Sequence, residues 1–112
     1  MLPKYKLSKL QSSEDFSSVF NFRKKLSSPH LYFHYAPNNI SQIRFGYVVS
    51  TKVEKLSVRR NYMRRLLREM LKKQLSYSVS LDIVVRIHKT FYKKNFKQIE
   101  EEIHNLIKGL PS

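Results

Sequence analysis

Ser57-Val58-Arg59-Arg60-Asn61-Tyr62-Met63-Arg64-Arg65-Leu66-Leu67-Arg68-Glu69-Met70-Leu71-Lys72-Lys73-Gln74-Leu75 contains no Pro or Gly and carries the strongest periodic signal in the chain. At about 100° per residue, Met63, Leu66, Leu67 and Met70 fall within an arc of about 100°, the apolar face of an amphipathic helix. Arg60, Asn61, Arg64, Arg65, Arg68 and Lys72 fill an arc of about 140° on the other side. The helix has a core face and a cationic face.

Outward from this helix the pattern changes period. Leu81 to His88 holds the β-branched run Ile83-Val84-Val85-Arg86-Ile87, dense enough for a central strand. Upstream, Gln42 to Ser50 alternates, with Phe45, Tyr47 and Val49 on one face and Arg44, Gly46, Val48 and Ser50 on the other. A strand–helix–strand unit predicts parallel pairing, right-handed by default. Leu31 to Tyr35 reads as another strand, with Leu31, Phe33 and Tyr35 set against Tyr32 and His34. The Pro37-Asn38-Asn39 turn after it predicts an antiparallel neighbour of the Gln42–Ser50 strand.

At the two ends, Ser12-Ser13-Glu14-Asp15 is a helix start, and Phe16, Val19 and Phe20 share one face of a helix over Ser13 to Phe22. Phe96, Ile99, Ile103, Leu106 and Ile107 form a closing helix ended by Gly109 and Pro111, with Glu100 to Glu102 on its solvated face. Ser78 and Ser80 mark the exit from the central helix. The order α, β, β, α, β, α, with an extra short strand near Leu26, predicts an α+β two-layer sandwich whose helices pack on one face of the sheet.

The 112 residues allow one domain, residues 1–112, and 22 Lys plus Arg against 8 Asp plus Glu give a net charge of +14. Self-repulsion on so small a body is best understood if the partner is a polyanion, nucleic acid first and an acidic membrane surface second. The absence of Cys excludes a disulfide framework, a thiol nucleophile and a Cys-based zinc site. Neither a signal peptide nor a bilayer-spanning run is apparent, so the expectation is a soluble, cytoplasmic protein without a membrane partner.

A solvated helix face usually interleaves charges, yet Glu69 is the only acid between Lys55 and Lys73. Arg predominates there, and its planar fork binds phosphate through two hydrogen bonds at once, so the cationic face points to a phosphate backbone. Seven Tyr and seven Phe supply rings that either fill a core without Trp or stack unpaired bases beside the basic surface. Catalytic signals are weak. His30, His34, His88 and His104 lack metal-ligand spacing, the acids form no catalytic pair, and two glycines cannot make a phosphate loop. No catalytic residue and no small-molecule substrate are expected.

Gly46-Tyr47-Val48-Val49-Ser50-Thr51-Lys52, a short loop, and Arg60-Asn61-Tyr62-Met63-Arg64-Arg65-Leu66-Leu67-Arg68-Glu69 together resemble the signature of the bacterial ribonuclease P protein family. The Glu14-Asp15-Phe16-Ser17-Ser18-Val19-Phe20 helix and the Asp82-Ile83-Val84-Val85 strand extend the resemblance over most of the chain. It implies a basic subunit of a ribonucleoprotein that removes the 5′ leader of precursor tRNA by phosphodiester hydrolysis. The catalytic RNA would hold most of the Mg²⁺, and the protein alone would be inactive. By resemblance Arg60, Asn61, Arg64, Arg65 and Arg68 face the catalytic RNA. Phe16, Phe20, Tyr32, His34, Arg44, Ser50 and Lys52 line a cleft for the single-stranded leader.

The family's strand–helix–strand crossover is left-handed, which replaces the default expectation. Tyr62 stands where the family commonly has Arg and cannot ion-pair with phosphate; Arg59 is expected to compensate from the preceding position. Glu54 stands in a loop that is more often small or basic. Two other partners fit the charge: a general or ribosomal RNA without catalytic association, and duplex DNA read by the basic helix, which leaves the aromatic surface unexplained.

Overall fold

Leu81, Ile83, Val85 and Ile87 alternate with Asp82, Val84 and Arg86 along a strand buried on both sides, and the molecule is built around it. The computed structural model describes residues 8–10, 13–38, 43–74 and 80–111. Its elements are β1 (Ser8–Lys9), α1 (Ser13–Phe22), β2 (Lys24–Ser27), β3 (Leu31–Pro37), β4 (Arg44–Val49), α2 (Ser57–Gln74), β5 (Leu81–Ile87) and, after a 3₁₀ turn, α3 (Phe96–Gly109). The expected turn at Pro37-Asn38-Asn39 runs into residues 39–42, and Ser78 falls among residues 75–79, outside the described residues.

The strands form one sheet in the order β1-β4-β5-β3-β2. β4 and β5 pair in parallel, Gly46 opposite Val84, with α2 as the crossover between them. β3 runs antiparallel to both β5 and β2. The expected β3–β4 pairing is therefore corrected: β5 lies between them. The apolar pairs Leu31/Phe33, Phe45/Val49 and Ile83/Val85 exclude more water side by side, with the mostly buried β5 in the middle.

α2 and α3 cover one face, where Met63, Leu67 and Leu71 of α2 and Ile99 and Ile103 of α3 meet Phe33, Phe45, Ile83 and Phe91. Helices on a single face are also corrected, because α1 packs on the opposite side. There Val19 meets Leu10, Ala36 and Val84, with Phe16 and Val48 beside them. Val84 makes this possible: inside β5's apolar run it gives the second face an apolar point, where strict alternation would have left a polar side chain. Arg23, at φ 61°, ends α1 in the left-handed region and turns the chain into β2.

Glu102 is buried too, not solvated as expected. Its carboxylate accepts from the Ser28 hydroxyl at 2.5 Å and the His30 N–H at 2.9 Å, and lies 2.7 Å from His30 Nδ1. These bonds tie the β2–β3 turn to α3. None of the described helices is long and apolar enough to cross a membrane.

Candidate nucleic-acid interface

Neighbouring residues of β4 point to opposite sides of the sheet, and each side carries one of the two sets of residues singled out by the sequence. Phe45 and Tyr47 face α2, whereas Arg44 and Gly46 face α1. Ser50 and Lys52 follow in the exposed turn, where the Ser50 hydroxyl accepts from the Val53 N–H at 3.3 Å.

On the α2 side, Asn61, Arg64, Arg65 and Arg68 surround a cleft of about 230 Å³ floored by Tyr47. One helical face places them at successive turns, and Arg64 donates to Asn61 Oδ1 at 2.5 Å. Two atoms at the cleft, Tyr47 Oη and Arg68 Nε, are sealed from solvent and lack a hydrogen-bond partner among the described residues. Burial holds the Tyr47 hydroxyl well above its usual pKa, against the opposing pull of Arg68, so the floor stays a neutral donor. A ring of forks over a hydroxyl donor suits phosphate oxygens.

Arg59 and Arg60 have other partners. Arg60 Nη1 donates to the carbonyls of Glu54 and Lys55, both at 2.9 Å, which fixes the loop entering α2. Arg59 donates to Glu54 Oε1 at 3.3 Å and to the Phe91 carbonyl, and its guanidinium lies 4.3 Å from the Tyr92 ring centre and 5.8 Å from that of Tyr62. The structure thus joins Tyr62 to Arg59 by a ring–cation contact. Glu54, which departs from the resembled pattern, is the acid that holds Arg59 and Thr90 together. Burial raises the Glu54 pKa, but bonds from Thr90, the Leu56 N–H and Arg59 outweigh it and leave the group below its ordinary value.

On the α1 side, Phe16, Phe20, Tyr32, His34 and Arg44 come to one side of the sheet, whereas Ser50 and Lys52 stay in the exposed turn. Phe16 lies over Gly46, where a Cβ would collide with its ring. Phe20 meets His34 edge-on at 4.7 Å, and His34 is 6.0 Å from Tyr32. Arg44 is committed: it clasps Asp82 through Nε at 2.7 Å and Nη2 at 2.6 Å, with Asp15 of α1 at 3.7 Å. The Asp82 hydrogen bond comes first among the causes that raise its pKa. It fastens α1 to the sheet.

Sequence reasoning missed Lys25, Arg86, His88 and Tyr47. Lys25 and Arg86 flank His34 and Tyr32 by cross-strand register, and His88 stacks on Tyr32 at 4.1 Å. Register across non-consecutive strands has no local signal. For Tyr47, its place between core rings and the arginine face was the available clue.

Residues 5–110 match the Ribonuclease P family model. The chain belongs to the ribonuclease P protein family. A ribonuclease P protein component from Caldanaerobacter subterraneus subsp. tengcongensis is 32% identical over 106 residues, 95% of this chain and 91% of that protein. The one from Azoarcus sp. is 38% identical over 58 residues, 52% of this chain and 48% of its own length. Against that relative, the matched stretch spans about half its length. The RNase P protein of Thermotoga maritima superposes with a TM-score of 0.75 at 26% identity, over 94% of this chain and 99% of that one. The Staphylococcus aureus RNase P protein shares the fold at a TM-score of 0.80 and 23% identity, covering 92% and 94%. Within this ribonuclease P fold, the arginines and the aromatic cleft occupy opposite sides of a single strand.

Proposed function

We propose that the chain is the protein subunit of a ribonuclease P ribonucleoprotein. It binds the catalytic RNA through the arginine cleft of α2 and the 5′ leader of precursor tRNA along the α1 side of the sheet. It thereby assists endonucleolytic removal of the leader to leave the mature tRNA 5′ end, in the cytoplasm. The observation that carries this reading is the pairing of two unlike surfaces across β4, inside a fold whose family match runs from residue 5 to 110. One surface is dense in Arg forks for backbone phosphates; the other mixes rings and cations, as unpaired nucleotides require.

The side chains bind and orient; they do not carry the hydrolysis. Asp15 and Asp82 are turned onto Arg44. In this reading Mg²⁺ is held by the RNA and supplies the hydrolytic chemistry there. Arg64, Arg65 and Arg68 offset the phosphate charge of the catalytic RNA, and Phe16 and Phe20 hold the leader extended.

The test is cleavage of a labelled precursor tRNA by a bacterial catalytic RNA at low Mg²⁺, with and without this chain, and with the chain alone. The expected result is stimulated release of the intact leader, and none from the chain alone. No stimulation of a catalytic RNA that responds to another ribonuclease P protein would overturn the proposal.

A further inference from the structure

Four basic side chains gather around the Tyr32 ring. His88 stacks on it at 4.1 Å, the Lys25 Nζ lies 4.4 Å from its centre, the Arg86 guanidinium 5.7 Å, and the His34 ring 6.0 Å. Strand register creates the group, with Lys25 opposite His34 and Arg86 opposite Tyr32. Neither Lys25 nor Arg86 forms an ion pair with an acid among the described residues. Asp82 on β5 and Asp15 on α1 are held by Arg44. From α1, Phe20 meets His34.

Like charges held close without a counterion raise the free energy of the empty surface and favour an anion there. His34 records that field. Burial first, then Arg86 and Lys25, hold its pKa below the ordinary value, and its Nε2 is sealed without a partner among the described residues. His88 is fixed behind the ring by a 2.9 Å contact between its Nε2 and the Ser28 carbonyl.

We propose that Lys25, Arg86 and His34 around Tyr32 form a seat for one phosphate of the single-stranded leader, and that filling it draws a proton from solvent onto His34. The proposal rests on the leader-binding reading above and adds a named phosphate contact and a proton linkage to it. A phosphate between Lys25 and Arg86 neutralises the two cations that add to the effect of burial on His34, so the ring is more basic in the complex than in the free protein. Affinity then is flat at high pH. It rises as pH falls through the bound-state pKa and levels off below the free-state pKa.

The experiment compares affinities of the reconstituted protein–RNA complex for precursor and mature tRNA, at fixed salt, from about pH 8 to about pH 5.5. The readout is the ratio of the two. Expected is a ratio that climbs on acidification by up to about one log unit per pH unit, and that His34→Gln flattens. His104→Gln, on α3 away from the cleft, leaves the climb in place. Lys25→Ala and Arg86→Ala, both exposed positions, each lower the ratio about tenfold and reduce its salt slope by about 0.7. A pH-independent ratio, or one untouched by Lys25→Ala and Arg86→Ala, overturns the seat while leaving leader binding intact. A ratio of unity throughout overturns leader binding itself.

Discussion

The two faces of the sheet are covered unequally. On one, α2 and α3 seal Phe33, Phe45, Ile83, Met63 and Phe91 to 2% exposure or less. On the other, α1 alone covers a small cluster around Val19 and Val84, and the strand ends carrying Tyr32, His34 and Arg86 stay partly open. Apolar burial scales with area, so the first face supplies most of the stabilisation. The second can therefore keep cations crowded together without unfolding the domain, a cost that a bound polyanion relieves.

That inequality is most sharply tested by truncation in the thick layer. Phe33→Ala should destabilise by about 3–5 kcal/mol in urea unfolding, and the protein that remains folded should keep its leader selectivity. Asp82→Ala breaks the clasp on Arg44 and the 2.8 Å bond from Asn38, and should cost about 2–3 kcal/mol while loosening α1. Selectivity for precursor over mature tRNA should fall with it. Gly46→Ala is the narrower probe. Its methyl displaces Phe16, so thermal unfolding should register about 1–3 kcal/mol, with leader-dependent binding reduced and affinity for the catalytic RNA unchanged.

The smallest effect is at the loop entering α2. A carboxylate below its unfolded pKa stabilises the fold above that unfolded value, and the contribution is lost as pH falls through the folded one. Glu54 should add such an acid-labile component, and Glu54→Gln should remove it from a plot of stability against pH. A plot unchanged by the substitution would mean that Glu54 does not hold Arg59.

Local periodicity explains what could be read from the chain. Ser57–Gln74 and Leu81–Ile87 show their own period, and the short strand at Leu26 sits in a basic turn long enough to hold it. Strand order has no such signature: a hairpin-like turn after β3 did not reveal that β5 would come between β3 and β4. β1 is two residues long, too short to show a period. Glu102 and Arg44 look like surface charges until His30 and Asp82, 72 and 38 positions away, are brought to them. The arginine face was legible because one helix carries it. Arg59 was not, since its role depends on Glu54 before α2 and on Phe91 and Tyr92 after β5.

The central claim is that the two sides of β4 bind different RNAs. Measuring Arg68→Ala and Phe20→Ala side by side, for affinity to the catalytic RNA and for precursor-over-mature selectivity of the assembled complex, tests it most directly. The account predicts that Arg68→Ala weakens only the first, with a salt slope flatter by about 0.7–0.9. Phe20→Ala should weaken only the second, by about 1–3 kcal/mol. Equal losses in both quantities from both variants would contradict the division.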